Sequence, residues 1–182
     1  IRSRKHAYHT QHSIGISYII NGEEHRIDVV PARASMNTQQ DDYIYVNNTS
    51  LFGQPTFKKI NSKKQLKVFD FNSQEKKIVK LLKVLKKENN LNIKSIYLEL
   101  FVKKAFENNR MPINTELCLL KVLRYIAENI QFLRIVDPAN TNNIISDTLT
   151  YNEKELIGDF CFNMIVNIKK SKSNIIDYFP TN

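Results

Sequence analysis

From Ser13 to Ala32 apolar and polar residues alternate with a period of two. Ile14, Ile16, Tyr18 and Ile20 are separated by smaller or polar residues. Asn21-Gly22 then supplies the positive-φ turn of a tight hairpin, and the chain returns through His25, Ile27 and Val29. The pattern predicts a β-hairpin whose return strand is apolar and buried, closed by Pro31, which cannot continue a central ladder. Asp28 interrupts that strand. A lone buried carboxylate costs roughly several kcal/mol, so the position calls for a partner. That partner is either a metal ion at the strand end or a neighbouring cation or cap, and the hairpin alone weighs the two evenly.

Beyond the hairpin the period changes. Arg33 to Asp42 is polar and reads as a loop, and Tyr43-Ile44-Tyr45-Val46 reads as a short strand. Its two rings, Tyr43 and Tyr45, share one side, where they either stack on a base or pack half-buried with wet hydroxyls. Asn47 to Gln54 is turn chemistry, and the stretch after Pro55 has no sustained period, so it reads as a connector with one helical turn. Ser73 is the expected N-cap of a helix over Gln74 to Asn90. Its apolar stripe is Ile78, Leu81, Leu82 and Leu85, and its other face is nearly all lysine. Further helices are expected from about Ile93 to Asn108 and, capped by Asn114 or Thr115, to about Asn129. Ile130 to Ile135 fits a strand or a helix end, and Val136 to Asn143 reads as an irregular polar loop. A last helix runs over Thr150 to Ile168. Thr150 is its N-cap, Glu153 the capping-box partner, and Leu156, Ile157, Phe160, Ile165 and Val166 the apolar stripe. Strands followed by helices give the α+β class, with a strand-bearing part over 1–56 and a helical part over 57–182.

Charge sharpens the picture. The net charge of +9 is concentrated from Thr56 to Arg110, where 15 Lys and Arg face 5 Asp and Glu, a net of +10. Such a segment attracts polyanions, whether nucleic acid, nucleoside triphosphates or an acidic surface, unless its lysines are simply solvated helix faces. No run of eighteen apolar residues exists and the first residues, IRSRKHAYHT, lack the apolar core of a signal peptide. No membrane span is therefore expected, and a cytoplasmic location is the default. Cys118 and Cys161 lie inside apolar helical patterns and read as core residues. His6, His9 and His12 are three apart but have no acidic or cysteine companion, which argues against a zinc site.

Three segments in order carry a resemblance: RIDVVPA closing the hairpin, IVKLLKVLKKE followed by KSIYLELFVKKAFE, and VDPANTNNIISDTLT before the last helix. Together they resemble the DNA-polymerase-beta-like nucleotidyltransferases, in the branch of oligoadenylate synthetases, archaeal CCA-adding enzymes and the bacterial cyclic-oligonucleotide synthases called CD-NTases. The resemblance runs from about Ser13 to Ile168. It implies that the first part is the remnant of a nucleotidyltransferase β-sheet and the second a helical nucleotide-binding domain. It also implies that Asp28 is the third carboxylate of a site for magnesium or manganese, and that Lys83 and Ser95 face the donor triphosphate. Lys83 is otherwise a solvated lysine and Ser95 a helix cap. Asp137 and Asn143 are expected to fix the late loop by backbone hydrogen bonds, without a catalytic part.

The superfamily's Gly-Ser pair and Asp-x-Asp carboxylates are missing, since Gly15, Gly22, Gly53 and Gly158 are the only glycines and none precedes Ser. One carboxylate cannot hold two divalent ions. With Ile at position 1, the expectation is the C-terminal portion of a longer enzyme, inactive alone, whose missing N-terminal portion supplies the other ligands. The expected product is a cyclic or linear oligonucleotide signal of bacterial antiviral defence. Two alternatives stand beside it: an RNA or tRNA nucleotidyltransferase tracking phosphates with the 56–110 segment, and a non-catalytic nucleic-acid-binding subunit.

Overall fold

A computed structural model describes residues 6–9, 13–34, 42–46, 56–108 and 110–179, with backbone alone for 6, 9, 34, 42–46 and 56–59. The architecture is α+β. The chain divides into one unit over Ile1–Lys67 with Pro138–Asn140 and a second over Val68–Asp137 with Thr141–Asn182.

The first unit holds two antiparallel sheets. In one, β1 (His6–His9), β2 (Ile14–Ile20) and β3 (Glu23–Val29) lie in the order β1-β2-β3. The hairpin is as expected, with Asn21 and Gly22 both at positive φ in the turn. Its burial is not. Every residue of β3 is exposed, and on β2 it is Gly15 and Ser17 that are buried. The reason is local: the Tyr8 ring folds across the strand over Gly15, where any Cβ would overlap it. On the other face the register pairs Ile14 with Val29 and Ile16 with Ile27, and these four side chains are between 36% and 50% exposed.

In the second sheet, β4 (Ala32–Ala34), β5 (Asp42–Val46) and β6 (Thr56–Ile60) lie in the order β4-β5-β6. The expected Tyr43–Val46 strand is β5. The connector expected after Pro55 is instead a strand, β6, and a two-turn helix, α1 (Ser62–Val68). Its Lys-rich sequence hides the β6 alternation, which carries one aromatic residue, Phe57. The expected turn over 47–54 and most of the loop before β5 lie outside the described residues, as does His12.

The second unit is built on α2 (Ser73–Glu88), α3 (Ser95–Phe106), α4 (Thr115–Asn129) and α5 (Tyr151–Lys170). Ile78, Leu82 and Leu85 of α2 meet Tyr97, Phe101 and Val102 of α3, Val122, Leu123 and Ile126 of α4, and Ile157, Met164 and Ile168 of α5 in one core. Burial of such side chains stabilises by about 1.5–3 kcal/mol each before chain entropy is set against it. The cap of α2 is Asn72, not Ser73: the Asn72 carboxamide accepts the Gln74 and Glu75 amides at 2.9 Å, and Glu75 returns the bond to the Asn72 amide at 2.8 Å. The Thr150–Glu153 capping box of α5 forms as expected. There the backbone and hydroxyl bonds from Thr150, together with Asn92 at 2.6 Å, hold the Glu153 carboxyl below its ordinary pKa. Leu156, expected in the apolar stripe, is 69% exposed, and Cys161 and Met164 occupy the core instead. Cys118 is buried as well. Burial pushes the Cys161 thiol up to about 12, so it stays a neutral core side chain.

The segment expected as an irregular loop is a hairpin of β7 (Val136–Asp137) and β8 (Asn140–Ile144), followed by a 3-10 turn over Ile145–Thr148. Asn143 donates to the Asp137 carboxylate at 2.9 Å, so the bond seen here joins the two side chains to each other, not to the backbone as expected. The tail forms a 3-10 helix over Lys172–Tyr178, with Ile175 and Tyr178 packed on the core. Among the described residues no helix is long and apolar enough to cross a membrane.

Candidate functional site

Asp28 lies opposite Gly15, on the face of the sheet that carries Tyr8 and Arg26. Its carboxylate accepts the Tyr8 hydroxyl at 3.3 Å and pairs with Arg26 Nε at 3.6 Å, while the Arg26 guanidinium lies 4.3 Å from the Tyr8 ring centre. The expectation of a buried charge is corrected here, because the Asp28 side chain is 47% exposed. An ion pair this open is worth about 1 kcal/mol or less, so Arg26 does not lock the carboxylate away from another partner. Arg26 was legible as that partner: two positions back on a strand is the same face.

Among the described residues no group of three or more His, Cys, Asp or Glu side chains comes together as a metal site. One carboxylate facing an arginine does not by itself fit magnesium or manganese, which take several oxygen ligands. The side chains of Tyr43 and Tyr45 lie outside those described; their backbones run in β5, opposite Lys59 and Phe57.

Lys83 and Ser95 belong to the second unit and are brought onto neighbouring faces of α2 and α3. The Lys83 ammonium is ion-paired with Glu99, and Glu99 stands four residues after Ser95, one turn further along the same face of α3. Ser95 is not the cap of α3. The N-cap is Lys94, which makes no side-chain bond to the first turn, and Ser95 is the first helical residue, with a half-buried side chain. Asn72, Asn114 and Thr150 by contrast cap α2, α4 and α5 with their side chains. The Tyr97 and Leu98 amides are taken by the Lys94 carbonyl, which leaves the Ser95 and Ile96 amides and the Ser95 hydroxyl at the start of α3, with the Lys83 ammonium held one turn further on, all groups of a kind that suit phosphate oxygens.

Lys83 also belongs to a row. Lys76, Lys80, Lys83 and Lys87 recur at i, i+4, i+7 and i+11 on one exposed face of α2, opposite the buried Ile78, Leu82 and Leu85. Glu99 is what the sequence reading missed, since no local pattern announces a pair joining two helices.

A groove of about 630 Å³ lies between α4 and α5, and none of these residues borders it. Arg124, Lys154 and Lys169 on its walls are matched by Glu128, Glu155 and Asp159, so it offers no net charge to a polyanion. No protein-family model matches the chain, and no curated protein sequence matches it.

Proposed function

We propose that this chain is the nucleotide-handling part of a metal-dependent nucleotidyltransferase in the oligoadenylate-synthetase-like and CD-NTase branch. Such an enzyme moves a nucleotide from an NTP to a hydroxyl, releases pyrophosphate and makes cyclic or linear oligonucleotide signals. The observation that carries the reading is the Lys83–Glu99 pair one turn from the uncapped Ser95 hydroxyl. An ammonium held by α3 and a hydroxyl at the start of that helix are donors of the kind a triphosphate needs, and a charge-assisted bond is about twice as strong as a neutral one. The half-exposed Asp28 carboxylate supports it too, being reachable and only weakly held by Arg26. In this reading Asp28 is one carboxylate of a cation site completed by polypeptide outside these 182 residues. The exposed Ile14, Ile16, Ile27 and Val29 face supports further polypeptide packing on the sheet.

The lysine row favours a second reading, extension of an RNA end, because cations one helical turn apart suit a phosphodiester chain.

The nucleotide reading is tested by titrating the chain with ATP and magnesium in a calorimeter. Lys83→Ala and Ser95→Ala are each expected to weaken binding about tenfold, the loss of one charge-assisted bond. Unchanged affinity in Lys83→Ala sets the reading aside.

A further inference from the structure

Resting on that reading, we infer that Glu99 is a positioning residue that holds the Lys83 ammonium when no triphosphate is present and gives it up when one arrives. The asymmetry of the pair carries the inference. Glu99 is the more buried member, with its side chain 18% exposed, whereas the Lys83 side chain is 44% exposed. Of the four lysines in the row, Lys83 alone has an anionic partner among the described residues. That partner sits one turn from Ser95 on the same face of α3, so the ammonium is stored on the face that carries the hydroxyl with which it would share a phosphate.

An ammonium has three N–H donors and one net charge. While Glu99 cancels that charge, the pull on a triphosphate is reduced, and a bound triphosphate lies close to a second anion. Glu99 thus sets nucleotide affinity below what Lys83 could deliver and favours release. The pair to be broken is partly open to solvent, Lys83 at 44% and Glu99 at 18%, and the expected effect on affinity is a few-fold.

The experiment compares wild type, Glu99→Gln, Glu99→Asp, Lys83→Ala and the Lys83→Ala/Glu99→Gln double variant, titrating each full chain with ATP and magnesium and with inorganic tripolyphosphate. Thermal unfolding of each variant is recorded alongside. Glu99→Gln keeps shape and hydrogen bonding but frees the charge, so it should bind both probes about fivefold more tightly than wild type. Glu99→Asp should return to wild-type affinity, and the double variant should bind like Lys83→Ala alone. A residue that merely joins α2 to α3 would not raise affinity when replaced. If Lys83→Ala weakens binding but Glu99→Gln matches or falls below wild type, Glu99 is a packing residue and the nucleotide reading survives without this refinement. If Lys83→Ala binds like wild type, both fall together.

Discussion

Under the proposed function, Asp28→Asn is expected to lower nucleotide transfer about a thousandfold while leaving the fold intact. Asparagine keeps the size of the side chain and removes the negative charge, which is what a site for the triphosphate's counter-cations needs. The fold should be indifferent, because the carboxylate is 47% exposed and its bonds to Tyr8 and Arg26 lie on an open face. The melting temperature should therefore move by only about a degree or two, as for an ordinary surface substitution. Turnover at wild-type rate would remove Asp28 from the mechanism. A collapse in melting temperature would make it a structural residue.

The second large effect concerns stability. Lys103 of α3 donates to the Asp70 carbonyl at 2.8 Å and to both oxygens of Glu75 at 3.1 and 3.2 Å, and its ammonium lies 4.6 Å from the centre of the Phe71 ring. Glu75 is only 7% exposed and is also half of the capping box that starts α2. Lys103→Met removes the cation and leaves a buried carboxylate facing a methyl group, at a cost of about 3 kcal/mol. Urea unfolding of the chain measures it. The Glu75→Gln/Lys103→Met double variant should recover part of the loss, since no unpaired charge then remains.

The helical unit was largely legible in the sequence because period and punctuation agree there. Thr150 and Glu153 mark one helix start and Asn114 another, while Ile78, Leu82 and Leu85 name the buried face of a third. Asn72 and Ser73 both suit a cap, and the choice fell to Asn72 through its reciprocal bond with Glu75, one position from where the sequence pointed. The β strands were harder. The alternation in β2 identified a strand, but not which face is covered, because the covering group is the Tyr8 ring on β1 and the missing Gly15 side chain is what admits it. Strands β7 and β8 are short and polar, NTNNI in β8, so nothing in their composition separates them from a loop. The resemblance singled out Lys83 and Ser95 as candidates, whereas Glu99 as the partner of Lys83 required the packing of α2 on α3.

The most direct test is to incubate the purified full-length gene product with ATP, GTP, CTP, UTP and magnesium, without RNA, and to follow pyrophosphate release and the masses of the products. The proposal predicts pyrophosphate together with oligonucleotides of a few units. Pyrophosphate that appears only when RNA is added would move the function to RNA extension, and none under either condition would contradict catalysis altogether.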